Sequence, residues 1–594
     1  MFYSLVSESK NPQPSLVTLR RSAAELLAAA VLELFPNTLL VKGESYDLGF
    51  SYEFVFPQKF SEHNLLMIEE RMRAIIKEKR PITSSEMMCT NARQFFLDKG
   101  QRIKAEILGA TQDAIIDVMR MGDFVDVCPE PYVEETSQLA VFKIHKFSEK
   151  TITLPSRQLK VIRISGTVFY DKQSMKKFLK IVELSKKRDH RKLGTELNLF
   201  GVQECAGAGL WFWYPKGAVI RDILTEWWNA EHKKQQFQKV YTPDVVKASL
   251  LKESGFFDID EQRQRNIFPT FSLEDGDYLV APTRAPLHAL IFRSSLHSYR
   301  ELPIRYAECS NLYSHEKRSQ LRGMLKARAY CVDDACVFCT ADQVRDEVIS
   351  FLQFINKTIK IFGFEYKWCL TTRGRRYAGA VSQWREYEKL FTEALTSLGF
   401  DYELDERANA FLGPEVHVML KDALGREWDG PYVGMDFNHP QRLGLKYQGA
   451  DGDMHTPMMM RRSMFGSLER FIAILVEHYA GVFPLWITPE QVRILPVSEK
   501  NEEYAEKVRR NMESRGLRVG VDYRQEKLGA KMRTAQCEKV PYILVVGEEE
   551  ENKQMVAVRP WNRSDTRKVG VEAFIEKILE EATTKKIMIR DPGE

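Results

Sequence analysis

The chain has little that would place it outside a reducing compartment or in a membrane. Its nine cysteines are scattered without a paired framework, which excludes a disulfide-built secreted scaffold and fits the cytosol. No targeting segment is evident. The most apolar stretch near the N-terminus, AAELLAAAVLELF, lacks a basic region followed by a cleavage site. Glu25 and Glu33 interrupt it, so it reads as a soluble helix with no membrane partner. An excess of either charge is also missing, with a formal net charge of +4. That neither demands nor excludes nucleic acid, because a basic groove can sit on a balanced protein.

At 594 residues the chain is too long for one core, so three or so domains of roughly 150 residues are expected. Up to residue 187, helical and strand-like runs alternate: Ala23 to Phe35 is helical, Tyr46 to Phe56 strand-like, Leu65 to Lys79 helical. A basic connector, KKFLKIVELSKKRDHRKLGTELNLF, follows. Residues 188 to 488 form the longest unit, with GLWFWYPKGAVIRDIL and VFCTADQVRDEVISFL read as aromatic-rich strands. Beyond Pro489, QVRILPV, NEEYAEKVRRNMESRG, LRVGVDY, RQEKLGAKMRTAQCEK and VPYILVVG give a β-α-β-α-β pattern with expected parallel pairing.

The most informative stretch is Arg461 to Trp486, which reads as a buried helix with Arg470 planted on it: Leu468, Phe471, Ile472, Ile474 and Leu475 recur at helical spacing. GSLERFIAILVEHYAGVFPLW resembles motif 3 of class II aminoacyl-tRNA synthetases, in the version carried by threonyl-tRNA synthetases. FQKVYTPDVV with Pro243 is similar to motif 1, and RYAECSNLYSHEKRSQLRGMLKARAYCVDDACVFC to motif 2. The resemblance covers nearly the whole chain. It implies an α/β and α+β multidomain protein: an editing-like domain (1–187), an antiparallel-sheet class II catalytic domain (188–488) and an α/β anticodon-binding domain (489–594). The small ubiquitin-like domain of bacterial members is not expected ahead of them.

The same resemblance assigns roles. Arg470 would clamp the ATP triphosphate, Glu316 would meet the adenine or its amino group, and Arg328 is one of several cations able to stand in for the motif 2 phosphate arginine, whose position holds Ser314. Losing that contact costs on the order of 3 kcal/mol in the transition state. Asp334 matches the aspartate near the substrate amine, and Ser467 lies beside it in the substrate region. The three zinc ligands fall on Ala285, Cys336 and Arg461. Arginine has donors only and stays protonated, so zinc is not expected. Strand alternation separates Cys331 and Cys339 from Cys336, so these thiols do not make a replacement site. Arg461 either offers a fixed charge to a substrate carboxylate or phosphate, or pairs with Asp334 and fills a dead pocket.

The editing histidine positions hold Arg21, Glu25 and Tyr132. Cys128, Asp126 and Lys104 remain, with no group to deprotonate water near neutral pH, so no editing is expected. Arg524, Gln525, Lys527, Glu550 and Arg559 are the candidate anticodon readers. The implied partners are tRNA or tRNA-like RNA, an amino acid or related small acid, ATP with Mg²⁺ if the chain is active, and a second copy as a homodimer in the cytoplasm. The leading expectation is ATP-dependent amino-acid activation or tRNA aminoacylation with altered substrate and neither zinc nor editing. A catalytically inactive tRNA-binding paralogue is the alternative, and a conventional threonine–tRNA ligase the third.

Overall fold

The computed structural model describes residues 14–585 apart from 47–48, 112, 130, 155–156, 259–265, 375, 406–409 and 564. The chain divides into two compact units, Met1–Glu183 and Leu184–Glu594.

In the first unit, the alanine-rich run becomes a helix, Leu16–Leu34, capped at Ser15 and buried along most of its length. It packs on a four-stranded antiparallel sheet ordered Leu39–Tyr46, Gly49–Val55, Gln158–Phe169, Val141–Thr153. Gly49 punctuates because a Cβ there would meet the Gly166 carbonyl oxygen at 2.1 Å. Three short strands, Ile82–Met88, Ile115–Met121 and Phe124–Val127, form a second sheet.

The second unit is built on an eight-stranded sheet. Its order is Gln238–Lys239, Ile304–Tyr313, Ala329–Cys339, Met458–Ser463, Glu427–Met435, Glu415–Lys421, Glu365–Thr371, Tyr402–Leu404. Pairing is antiparallel except at the two outermost strands. One face buries Val337, Val416, Val433 and Met460 under the helices Val344–Phe362, Val381–Ser397 and Leu468–His478. The other carries polar chemistry and a smaller apolar cluster around Phe292, Phe338 and Met459.

Two expected strands are largely helical. GLWFWYPKGAVIRDIL keeps only Trp211–Trp213 as strand, because Pro215 opens a 20-residue helix at its first turn. VFCTADQVRDEVISFL leaves the sheet at Cys339 and becomes helical from Val344. The stretch from Arg461 is likewise two elements: Arg461 sits on the Met458–Ser463 strand, and the helix spans only Leu468–His478.

The C-terminal part has the expected parallel core, Val492–Pro496 between Val519–Val521 and Tyr542–Val546, extended by the antiparallel strands Met555–Pro560 and Arg567–Gly570. Glu538 accepts from Lys216 and Arg493, both at 2.7 Å, and ties this sheet to the body of the unit.

Candidate active site

Strand alternation sorts the chemistry. Cys336 lies opposite Arg461 and Tyr306, and Glu308 opposite Asp334, on the polar face. Ala335, opposite Arg462, faces the helices. Cys331 and Cys339 therefore join the helix-covered core while Cys336 does not, as the spacing requires.

The turn after Ser463 is held by one buried carboxylate. Asp333 accepts from Trp228 Nε1 (2.9 Å), Ser463 Oγ (2.6 Å), Met464 N (2.6 Å) and Phe465 N (3.0 Å). Burial pushes its carboxyl up to about 6 against the pull of those donors. The Leu468 helix follows, with Ser467 as N-cap accepting from Arg470 N at 3.2 Å. Ser467 is thus committed to the cap. Arg470 Nε donates to the Leu325 carbonyl at 3.2 Å.

The loop between the second and third strands closes on Glu316. Its carboxylate accepts from Asn266 Nδ2 (3.2 Å) and Ser314 Oγ (3.3 Å) and pairs with Lys326 Nζ (2.9 Å), while its carbonyl accepts from Arg328 Nε (3.0 Å). Arg328 also donates to Ala208 O at 3.2 Å. Of the other basic residues of the loop, Lys317, Arg318 and Arg322 point to solvent. Burial raises the Tyr330 phenol, with Arg470 opposing and Asp334, Glu316 and Glu469 adding.

Beside them is a polar cluster. His288 Nε2 meets Glu308 at 2.9 Å, and Glu308 accepts from Thr242 Oγ1 at 2.6 Å. Arg284, fully buried, donates to Pro243 O at 2.6 Å and to Asp244 and the Asn311 carbonyl. Asp334 accepts no hydrogen bond from any described residue; burial raises its pKa, with His288 and Arg461 opposing.

The residues at the zinc positions do not fit the metal. Ala285 has no donor atom and opens the Ala285–Arg293 helix. Burial raises the Cys336 thiol well above its ordinary value, and it is the one potential ligand among the three positions. Arg461 brings a positive charge. Its counterion is not Asp334 but Asp436, fully buried and 3.3 Å from Nε. Burial opposes the Asp436 charge, yet His439 at 2.6 Å and Arg461 hold that carboxyl down to about 2. Arg461 itself loses to burial but gains more from Tyr432, Asp436 and Glu415, so its pKa lies above the ordinary value. Glu308 belongs to the motif 2 stretch and meets Asp334 across its two strands, whereas Tyr432, Asp436 and His439 were not foreseen from the sequence and reach the site through the pairing of Glu427–Met435 with Met458–Ser463.

Asp189, His190 and Glu477 also have metal-ligating chemistry. His190, however, spends Nδ1 on Glu477 (2.6 Å) and accepts from Met324 N (3.0 Å) on Nε2, which makes it a structural crosslink.

In the first unit, the residues at the editing positions form a closed cluster. Lys104 pairs with Asp126 at 2.6 Å, Tyr52 donates to the same carboxylate, Tyr132 donates to the Cys128 carbonyl, and Arg21 donates to Pro129 O at 3.0 Å. Glu25 is buried with Oε2 unpartnered, and burial, reinforced by Asp126, raises its pKa well above 4.5. A carboxyl with a raised folded pKa stabilises fully below its unfolded value, and that contribution is lost as pH rises through the folded one. Glu25→Gln is expected to flatten this decline above pH 4.5 in urea denaturation of the chain; an unchanged slope would remove Glu25 as its source.

Of the candidate anticodon residues, Arg524, Gln525 and Lys527 precede the Leu528–Cys537 helix rather than lying within it, Lys527 being its N-cap. Arg524 pairs with Asp522 at 2.6 Å. Glu550, expected on a strand beside Arg559, sits in the short Glu548–Asn552 helix, accepts from Gly547 N at 3.1 Å and is nearly buried. Arg559, on the Met555–Pro560 strand, donates to Arg563 O at 3.0 Å.

A family model described as the class II tRNA synthetase core domain (G, H, P, S and T) matches residues 270–479, and one described as an anticodon binding domain matches 491–581. Together with the antiparallel sheet and the capped arginine helix, these matches define a class II tRNA synthetase scaffold. The threonine–tRNA ligase of Oleidesulfovibrio alaskensis is 40% identical over 91% of this chain and 83% of its own length; that of Acetivibrio thermocellus is 37% identical over 96% and 89%. The chain belongs to the threonyl-tRNA synthetase family. A solved structure titled as the RNA binding domain of threonyl-tRNA synthetase from Cryptosporidium parvum is similar at 32% identity and a TM-score of 0.63, covering 66% of this chain and 98% of that one. Among the described residues no helix is long and apolar enough to cross a membrane.

Proposed function

We propose that this chain activates an amino acid with MgATP and charges tRNA with it, without zinc and without editing. The observation that carries the reading is Arg470: a guanidinium on a capped helix, its Nε anchored on the Leu325 carbonyl of the same loop that closes on Glu316. In this reading Arg470 binds the triphosphate, Glu316 and Arg328 form the adenine and phosphate side, and unpartnered Asp334 receives the substrate amine. Arg461, Cys336 and Ala285 line the side-chain pocket. Arg461 is the polar determinant there, and its terminal nitrogens make no described hydrogen bond, which favours an acidic or otherwise anion-bearing substrate. Arg524, Gln525, Lys527, Glu550 and Arg559 would read the RNA, and the units 1–187, 188–488 and 489–594 would act as a cytoplasmic homodimer.

The alternative, a non-catalytic tRNA-binding protein, is favoured by one contact: at the phosphate-arginine position Ser314 turns inward onto Glu316. ATP–pyrophosphate exchange across a panel including threonine, serine, aspartate and glutamate, run with and without a zinc chelator, separates the readings. We expect chelator-resistant exchange with an acidic amino acid. Exchange with threonine alone would leave the family's ordinary specificity, abolition by chelator would sink the zinc-free reading, and exchange with none would leave the non-catalytic protein.

A further inference from the structure

Arg462 follows Arg461 on the same strand and points through the sheet to the other side. There it borders a cavity of about 260 Å³ between the end of the Pro215–Lys234 helix and the Val344–Phe362 helix, floored by Val337, Val433 and Met460. Three cations line this space. Arg305 is matched by Glu347, with Nε 2.9 Å from one carboxylate oxygen and Nη2 on the other. Lys234, exposed at the rim, is matched by Glu231 at 2.5 Å. Arg462 makes no ion pair among the described residues; Glu347, already spent on Arg305, and Asp333 act on it only from a distance.

Arg462 is 3% exposed; its guanidinium carbon lies 3.6 Å from the Phe237 ring centroid and 4.2 Å from that of Phe351, and the group makes one described hydrogen bond, from Nη1 to Gln235 Oε1 at 3.2 Å. Nε and Nη2 have no partner. Stacking on aromatic faces recovers part of the desolvation of a buried cation, but an arginine kept ionised away from water still calls for an acceptor of opposite charge. The space beside it is large enough to supply one.

We infer that this cavity is a small-anion site, which takes a carboxylate or phosphate group against the Arg462 guanidinium. The ligand class follows from the donor set. A planar fork with two idle N–H directions suits a group presenting two oxygens. Its place, one residue from Arg461, puts it directly behind the candidate substrate pocket, and it stands whether or not the chain turns over ATP.

The test is calorimetric titration of inorganic phosphate into the full chain in low-salt buffer. Wild type is expected to bind with one saturable stoichiometry. Gln235→Glu gives Arg462 an internal counterion; it is expected to weaken phosphate binding at least tenfold and to raise the melting temperature in anion-poor buffer. Arg462→Met is expected to lose binding, while Arg470→Ala, which removes the front-face phosphate contact, keeps it. Competition by acetate would mark a site open to carboxylates, and no competition one restricted to phosphate. Absence of binding to wild type, equal binding to Gln235→Glu, or loss in Arg470→Ala alone would each overturn the assignment. Should Arg462→Met not fold, Gln235→Glu decides.

Discussion

Replacing Arg470 with alanine is expected to lower amino-acid-dependent ATP–pyrophosphate exchange about 10²–10³-fold, with little effect on the melting temperature. The side chain is half-buried and its only described hydrogen bond, from Nε to the Leu325 carbonyl, can pass to water. Its removal leaves the helix cap intact, since Ser467 is bonded by the Arg470 backbone and not by its side chain. The loss therefore falls on charge stabilisation. A preorganised donor aimed at developing negative charge is worth roughly 2.7–4 kcal/mol, and here Ser314 supplies no second one. Arg470→Lys should recover little of it, because an ammonium does not present two parallel donors to a phosphate. A rate within a factor of three of wild type for Arg470→Ala would mean that the triphosphate is held elsewhere.

The largest loss of stability is expected at Asp333. Asp333→Ala strands the Trp228 indole N–H, the Ser463 hydroxyl and two backbone amides in a buried site, having removed the one group that served all four. A destabilisation of about 3–5 kcal/mol in the Leu184–Glu594 unit, read by denaturant unfolding, is the expected size for breaking such a buried charged network. Asp333→Asn should recover only part, because an amide nitrogen cannot accept from two of the four donors. A loss under 1 kcal/mol for alanine would show that the turn from Ser463 to Ser467 is held by its apolar packing instead.

What the sequence made legible was local. The apolar spacing from Leu468 to Leu475 repeats at the helical period, and the β-α-β rhythm after Pro489 is set by short runs with clear breaks; the cap role of Ser467, expected with the substrate-binding residues, was not read. The separation of Cys336 from Cys331 and Cys339 needs only the two-residue period of a strand. Aromatic richness misled at Trp211 to Leu224, because the ring-bearing residues pack against a helix as readily as within a sheet, and Pro215 at the first helical turn was the stronger signal. The counterion of Arg461 was not legible at all. Asp334 lies nearer in the expected motif, but Asp436 reaches Arg461 because the Glu427–Met435 strand pairs with Met458–Ser463, a fact with no local trace.

The two neighbouring arginines on the Met458–Ser463 strand also limit how this pocket can change over time. A single residue gained or lost in that strand would carry Arg461 into the helix-covered core and turn Arg462 out towards Asp436, exchanging a polar face for an apolar one along the whole segment. Replacement in place is the only route left open to it. In the reading that sets the zinc-ligand positions on Ala285, Cys336 and Arg461, each would be such a replacement, a change of side chain in frame on a fixed register.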